Sequence, residues 1–108
     1  MNAPLVPEGL VEDAARRLKV LGDPVRVSLL NALRVHEELN VQELMDLTEQ
    51  RQANVSKHLG ILAREGVVRR RKEGTNAFYS IADPSIAGVY LLVCNRLREY
   101  PAASEDAS

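Results

Sequence analysis

The stretch RQANVSKHLGILAREGVVRRRK, residues 51–72, gathers positive charge in a chain that is slightly acidic overall. It holds seven basic side chains and one acidic one, a net charge of +6. The rest of the chain holds seven basic and fourteen acidic side chains, which brings the formal charge of the whole chain to −1. A segregated basic field of this kind attracts a polyanion even when the protein is nearly neutral, although a charge run alone is also compatible with a solvated surface.

The composition is that of an ordinary globular chain of 108 residues, with 45% hydrophobic, 27% charged and only 4% aromatic residues. Leu, Val and Ala must supply the buried area, which is typical of helices. We expect one domain over residues 8–100, between a flexible arm at residues 1–7 and a disordered acidic tail at residues 101–108. Cys94 cannot form an intrachain disulfide, and no leader or membrane-length apolar run is visible, so we expect a cytoplasmic protein outside any membrane.

Apolar residues recur at helical spacing in five segments. Asp23 followed by Pro24 is typical of a helix cap and a first helical residue, and Asn40 with Glu43 three places on forms a capping-box pattern. The predicted helices cover residues 8–21, 24–34, 41–48, 52–65 and 85–99.

The helix predicted over residues 52–65 has two different sides. Val55, Leu59 and Leu62 fall within about 60° of arc, while polar and small side chains occupy the opposite side. One side therefore packs, and the other is suited to insertion into a groove. Because only the short polar segment 48–51 separates this helix from the one before it, the pair resembles a helix-turn-helix.

The residues that follow predict a β-hairpin. Val67 and Val68 lead into the basic run 69–72, the segment EGTN at 73–76 supplies a tip that contains Gly, and apolar side chains alternate again up to Ile81. A helix-turn-helix followed by a basic hairpin is a winged helix. The predicted fold is therefore mainly α, with about five helices and a two-stranded wing.

Three segments, LGDPVRVSLLNAL at 21–33, ANVSKHLGILAREGVV at 53–68 and RRRKEGTNAFYSIAD at 69–83, resemble the ArsR/SmtB family of bacterial winged-helix repressors. The resemblance covers residues 14 to about 98. It implies a homodimer that binds a palindromic operator in double-stranded DNA and is released by a small effector, often a metal ion. It also implies that the first and last helices form the dimer interface.

The last predicted helix supports such an interface independently, because its apolar residues exceed what packing within one protomer needs. Part of this surface packs in the core, and a partner subunit would cover the rest. The residues predicted to form the dimer interface are Leu10, Ala14, Leu18, Ile86, Val89, Tyr90, Val93, Cys94 and Leu97.

Side chains on the polar side of residues 52–65 and on the hairpin are the candidate DNA contacts. Gln52 and Ser56 are suited to base edges, since Gln pairs well with adenine. His58 lies at the edge of the apolar side, which favours packing or a backbone hydrogen bond, although the family's matching His lies in its DNA-binding helix. The candidates for phosphate or minor-groove contact are Arg51, Asn54, Lys57, Arg64, Arg69, Arg71, Lys72, Thr75 and Asn76.

The sequence departs from the metal-sensing relatives. Where relatives that sense arsenic or cadmium carry a Cys-x-Cys pair, this chain has Asn40 and Gln42. The site that zinc and nickel sensors build across the last helix corresponds to Asp83, Ser85, Arg96 and Glu99. Zinc and nickel prefer nitrogen or sulfur donors, and the side chains of Ser85 and Arg96 supply none. We therefore expect neither a metal nor another cofactor.

Two alternatives stay open. Cys94 is a candidate redox or sulfur sensor, although a lone Cys on an apolar helical side is more often a packed hydrophobe. A winged helix that binds only proteins is a second alternative, which the charge of +6 over residues 51–72 disfavours. An enzyme is not expected, because none of the residues His36, His58 and Cys94 has catalytic partners nearby in sequence.

Overall fold

Five α-helices and a three-stranded antiparallel sheet form the part of the chain that the computed structural model describes, residues 5–100. The helices are α1 Glu8–Lys19, α2 Pro24–Val35, α3 Val41–Thr48, α4 Gln52–Arg64 and α5 Pro84–Glu99. The strands are β1 Leu39–Asn40, β2 Val68–Glu73 and β3 Asn76–Ile81, and a short 3-10 turn covers Val20–Gly22. The arm predicted at 1–7 falls partly outside the described residues, and the tail predicted at 101–108 falls wholly outside them.

The predicted capping residues begin their helices. The carboxylate of Asp23 accepts hydrogen bonds from the backbone N–H groups of Val25 at 2.8 Å and Arg26 at 3.2 Å. The side chain of Asn40 accepts from the N–H of Glu43 at 2.8 Å, and the Glu43 carboxylate accepts from the N–H of Asn40 at 2.9 Å. Both caps satisfy N–H groups that a helix start leaves without partners, so the capping box is confirmed.

The sheet has the strand order β1-β3-β2, so the hairpin is joined by a third strand that the sequence did not indicate. In the ladders, Leu39 is opposite Tyr79, and Val68 is opposite Ile81. The predicted two-stranded wing is confirmed as β2 and β3, and β1 extends the sheet by a third strand that was not predicted. A strand of only two residues leaves no alternating pattern to detect. At the hairpin tip, Gly74 has a φ of +61°, in the left-handed region that favours glycine.

The core lies where α2, α3 and α4 pack against the inner face of the sheet. Its fully buried side chains are Leu29, Leu30, Leu44, Val55, Leu59, Leu62 and Val67. In α5 only Ile86 and Ala87 are buried. The assignment of Ile86 to the dimer interface is therefore wrong, because this side chain, 3% exposed, already packs inside its own protomer.

Helix α1 stands apart from this core. None of its twelve residues is buried, and it packs extensively only with the 3-10 turn that follows it. The radius of gyration is 16.2 Å, against about 13 Å expected for a compact chain of this length.

Between residues 5 and 100, no helix has both the length and the apolar character needed to cross a membrane.

Candidate nucleic-acid interface

Helix α4 is fixed by one side and open on the other. Val55, Leu59 and Leu62 are fully buried and attach it to the core. The remaining sides carry exposed polar and basic residues that the sequence had assigned to DNA contact. The exposed set on α4 and at its N-cap is Arg51, Gln52, Asn54, Ser56, Lys57 and Arg64.

The turn between α3 and α4 presents the start of α4. Glu49 ends α3 with a φ of 55°, a left-handed conformation that reverses the chain. Arg51 precedes the first residue of α4 but provides no side-chain cap, so the first N–H groups of α4 have no protein side chain as acceptor. N–H groups at a helix start, together with the helix dipole, favour an anion such as phosphate.

His58 lies on the inner side of α4, and the structure removes it from the DNA-contacting set. The residue is 6% exposed, and its Nδ1 lies 3.3 Å from Nη1 of Arg26. Because a guanidinium can only donate, Nδ1 is the acceptor in this contact, and Nε2 lies 4.0 Å from the Asp23 carboxylate. Arg26 also donates through Nε to the carbonyl of Val20 at 2.9 Å. His58 thus joins α4 to the start of α2 instead of facing a ligand.

The wing carries a row of basic and polar side chains at its surface. Arg69, Lys72, Thr75 and Asn76 are exposed, as the sequence predicted. Arg70 is also exposed, although the sequence gave it no role.

Arg71 is exposed as well, but its guanidinium is engaged. It donates two hydrogen bonds to Glu38 and one to Glu73, and it stacks over the Phe78 ring. Its hydrogen bonds hold the pKa of the Glu38 carboxyl below its usual range, and the two carboxylates raise the pKa of Arg71. Glu38 lies 33 positions away in sequence, so sequence reasoning had no signal for this contact.

Five of the nine residues predicted for a dimer interface are exposed on the surfaces of α1 and α5. Leu10 is 57% exposed, Leu18 48%, Val93 54% and Leu97 50%, and Ala14 is also exposed. The protomer leaves about half of each of the four large apolar side chains exposed. Surfaces of this kind mark interaction sites more often than isolated exposed residues do.

Cys94 and Tyr90, on α5, are half-buried beside a small apolar cavity. The cavity has a volume of about 240 Å³. Its lining residues are Leu21, Val27, Tyr90, Val93, Cys94 and Leu97. Burial, followed by a hydrogen bond with Cys94, raises the pKa of the Tyr90 hydroxyl.

Three of the four residues at the metal-sensing positions, Asp83, Ser85 and Arg96, have other partners. Asp83 caps α5 by accepting from the N–H of Ser85 at 3.0 Å and from its hydroxyl at 2.6 Å, and it pairs with Arg17 of α1. The hydrogen bond from the Ser85 hydroxyl is the largest cause of a lowered Asp83 pKa, and Arg17 adds to it. The guanidinium of Arg96 stacks 4.1 Å from the Tyr100 ring centre. Within residues 5–100, no three His, Cys, Asp or Glu side chains are grouped as metal ligands would be.

A two-sided helix after a tight turn, followed by a basic antiparallel wing, defines a winged helix-turn-helix protein. The model for bacterial regulatory proteins of the arsR family matches residues 23–70. The chain belongs to the ArsR family of transcriptional regulators.

Individual relatives extend this match beyond the helix-turn-helix. An uncharacterised HTH-type transcriptional regulator of Methanocaldococcus jannaschii is 38% identical over 82 residues, which cover 76% of this chain and 92% of that protein. The transcriptional repressor PagR of Bacillus anthracis is 34% identical over 77% of this chain and 83% of its own length. Its crystal structure gives a TM-score of 0.72, at 31% identity, over 81% of this chain and 99% of that one.

A further solved structure bears on assembly. The homodimeric winged helix-turn-helix DNA-binding domain of a possible ArsR-family regulator from Mycobacterium bovis has a TM-score of 0.75. It is 27% identical, and the match covers 94% of each chain.

Proposed function

We propose that this chain is a homodimeric transcriptional repressor that binds a palindromic operator in double-stranded DNA and is released by a small effector. The observation that carries the proposal is the two-sided character of α4, which is fixed by buried apolar residues and exposes a polar row. Winged helix-turn-helix proteins place such a helix in the major groove. The similarity to PagR, a transcriptional repressor, supports repression as the outcome of binding.

Gln52 and Ser56, in the first turns of α4, are the proposed base-reading residues. Both are exposed, and their side chains can donate to and accept from base edges in the major groove. Other polar residues of α4 and the wing contact phosphates or the adjacent minor groove, which provides affinity more than specificity. They are Arg51, Asn54, Lys57, Arg64, Arg69, Lys72, Thr75 and Asn76.

The apolar surfaces of α1 and α5 supply the dimer interface. A helix of twelve residues that buries none of them, as α1 does, gains little stability from its own protomer. A second copy that packs across a two-fold axis covers Leu10 and Leu18 together with Val93 and Leu97. The two copies of α4 then enter successive major grooves about 34 Å apart.

Binding to a random duplex at low salt separates this proposal from a winged helix that binds only proteins. We expect a gel shift, and the logarithm of the binding affinity should fall linearly with the logarithm of salt concentration, because basic residues displace counterions from phosphates. Neutralising Lys57 should lower affinity for every duplex. Absence of any shift at low salt would reject DNA binding in favour of the protein-interaction alternative.

The effector is proposed to be something other than a metal at the positions used by metal-sensing relatives. The Asp83 carboxylate already caps α5 and pairs with Arg17, and Arg96 would bring a positive charge into the site. Zinc, nickel, cadmium or arsenite should therefore leave DNA affinity nearly unchanged. Allosteric effectors typically change affinity about 5- to 150-fold, so a tenfold response to any of these would reject this part of the proposal.

Cys94 is a candidate site of effector sensing, and it lies half-buried beside an apolar cavity on the proposed interface. Peroxide or polysulfide would convert the thiol to a sulfenic acid or a persulfide, which would alter packing between subunits. The test compares DNA affinity of the wild type and Cys94→Ser under reductant, peroxide and polysulfide. Equal responses of the two proteins would mean that Cys94 only packs.

A further inference from the structure

The guanidinium of Arg71 is held by two carboxylates and an aromatic ring. Its Nε and Nη2 donate to the two carboxylate oxygens of Glu38 at 2.9 and 2.8 Å, and its Nη1 donates to Glu73 at 3.2 Å. Its Cζ lies 5.0 Å from the centre of the Phe78 ring. A bidentate, stacked Arg pair has a defined geometry, which distinguishes it from most ion pairs at a protein surface.

This contact spans the sheet. Arg71 lies on β2, opposite Phe78 of β3, and Phe78 is opposite Asn40 of β1 on its other side. Glu38 directly precedes β1, and β1 continues without interruption into α3. A side chain of the outer strand of the wing is thus bonded to the segment from which the helix-turn-helix begins.

The charge around Arg71 is unfavourable for phosphate. The guanidinium and its two carboxylate partners, Glu38 and Glu73, have a formal net charge of −1. Three of its N–H directions are used by these carboxylates. A DNA phosphate would have to displace a carboxylate from its bidentate partner.

Arg70 and Lys72 are in a different situation on the same strand. Because successive residues of a strand point to opposite faces, Arg70 and Lys72 lie on the same face as Val68, which is buried. Arg71 lies on the other face. Both are exposed. Within residues 5–100, neither has a carboxylate within ion-pair distance.

From these contacts we propose that Arg71 is a positioning residue, which holds the wing against the start of α3 through Glu38. We propose with it that Arg70 makes the phosphate contact that the sequence assigns to Arg71. The inference rests on the proposed DNA-binding function, which it refines by separating the wing residues that contact DNA from the one that orients them.

Salt titrations with a random-sequence duplex test the division of roles. For Arg70→Gln, the slope of log affinity against log salt should fall by about one unit, because one phosphate contact is lost. For Arg71→Gln, the slope should equal that of the wild type, while affinity falls about two- to fivefold, the size expected for an exposed but well-oriented ion pair. A slope reduced by about one in Arg71→Gln would overturn the inference.

Glu38→Gln provides a second test, because a positioning role and a purely electrostatic role of Glu38 predict opposite changes in DNA affinity. It removes a negative charge near the DNA, so a purely electrostatic role for Glu38 predicts tighter binding. The positioning role predicts weaker binding, by the same factor as Arg71→Gln, and no further loss when the two substitutions are combined. Tighter binding by Glu38→Gln, or additive losses in the double variant, would overturn the inference.

A measurement without DNA keeps the two proposals distinguishable. The Glu38 carboxyl can be followed by NMR in a pH titration of the free protein, and its pKa should rise towards the usual range in Arg71→Gln. An unchanged Glu38 pKa would overturn the positioning contact whatever the DNA data show. If the contact is found but the wild type binds no duplex, the proposed function fails, and the assignment of Arg70 fails with it.

Discussion

Helices α4 and α5 are both amphipathic, yet they present opposite surfaces to the solvent. Helix α4 buries four of its thirteen residues and exposes a polar row. Helix α5 buries two of its sixteen and leaves Leu92, Val93 and Leu97 at least half exposed. An exposed polar row is stable in water by itself, whereas an exposed apolar row is stabilised by a partner surface. This difference is the basis of the proposal that α4 binds DNA and that α5, with α1, packs against a second copy of the chain.

The largest expected effect comes from a charge placed on the α5 surface. Leu97→Glu should dissociate the dimer, because each copy would bring a carboxylate into an apolar interface. Light scattering should then give a mass near 12.0 kDa instead of twice that value. Operator affinity should fall at least about hundredfold, since two linked half-site contacts become independent.

Val35→Glu is the matched control, because Val35 is 59% exposed but lies at the end of α2, outside the proposed interface. It should leave the mass and the operator affinity unchanged. A monomeric wild type, or a dimeric Leu97→Glu, would break the assignment of α5.

The next effect compares the two sides of α4. Leu59→Ala should lower the free energy of unfolding by about 2–5 kcal/mol, because Leu59 is fully buried and its truncation leaves a cavity. Gln52→Ala should change it by less than about 0.5 kcal/mol. Urea denaturation measures both. Equal destabilisation would mean that Gln52 contributes to packing and that α4 is not two-sided.

The exposed side of α4 should affect DNA affinity, although it contributes little to stability. Gln52→Ala and Ser56→Ala should each cost about 1–3 kcal/mol on a selected operator and little on random duplex, because only base-edge hydrogen bonds are lost. Anisotropy titrations on both sequences make the comparison. Equal losses on the two duplexes would assign Gln52 and Ser56 to phosphate contact instead of base reading.

The smallest effect concerns how α1 is joined to the N-terminus of α5. The folded-state pKa of Asp83 is lowered, so its contribution to stability is present above its usual pKa and is lost as pH falls through the lowered value. Asp83→Asn keeps a capping side chain but removes the charge that faces Arg17. Its loss of stability between about pH 5 and pH 2 should be smaller than that of the wild type.

Asp46→Asn is the control for this titration. Asp46 is exposed and accepts only a side-chain bond from Gln42, so Asp46→Asn should change the free energy of unfolding by less than about 0.5 kcal/mol and shows the effect of removing an exposed carboxylate. A parallel curve for Asp83→Asn would show that neither the hydrogen bonds from Ser85 nor the ion pair with Arg17 adds to folding through the Asp83 charge.

Local features were accessible from the sequence. The caps at Asp23 and Asn40, the two-sided pattern of α4 and the Gly tip of the wing each arise from residues a few positions apart, and all are confirmed. Asp83 followed by Pro84 repeats the pattern at Asp23, so its capping role could have been read in the same way.

Contacts between distant segments were not accessible. The roles of Ile86 and Arg71 depend on partners that only the fold brings near. For His58 the sequence favoured packing, but it did not indicate the partner Arg26, which lies 32 positions away. A two-residue strand such as β1 exists because β3 is beside it, and not because of its own sequence.

A footprint on an operator selected from random duplex tests the central claim most directly, because it requires DNA binding, base reading and two-fold assembly at once. We expect two protected half-sites related by two-fold symmetry, with centres about 34 Å apart along the duplex. Leu97→Glu should lose both protections together, and Gln52→Ala should weaken both equally. A single unsymmetrical protection by the wild type, or none at any concentration, would contradict the account.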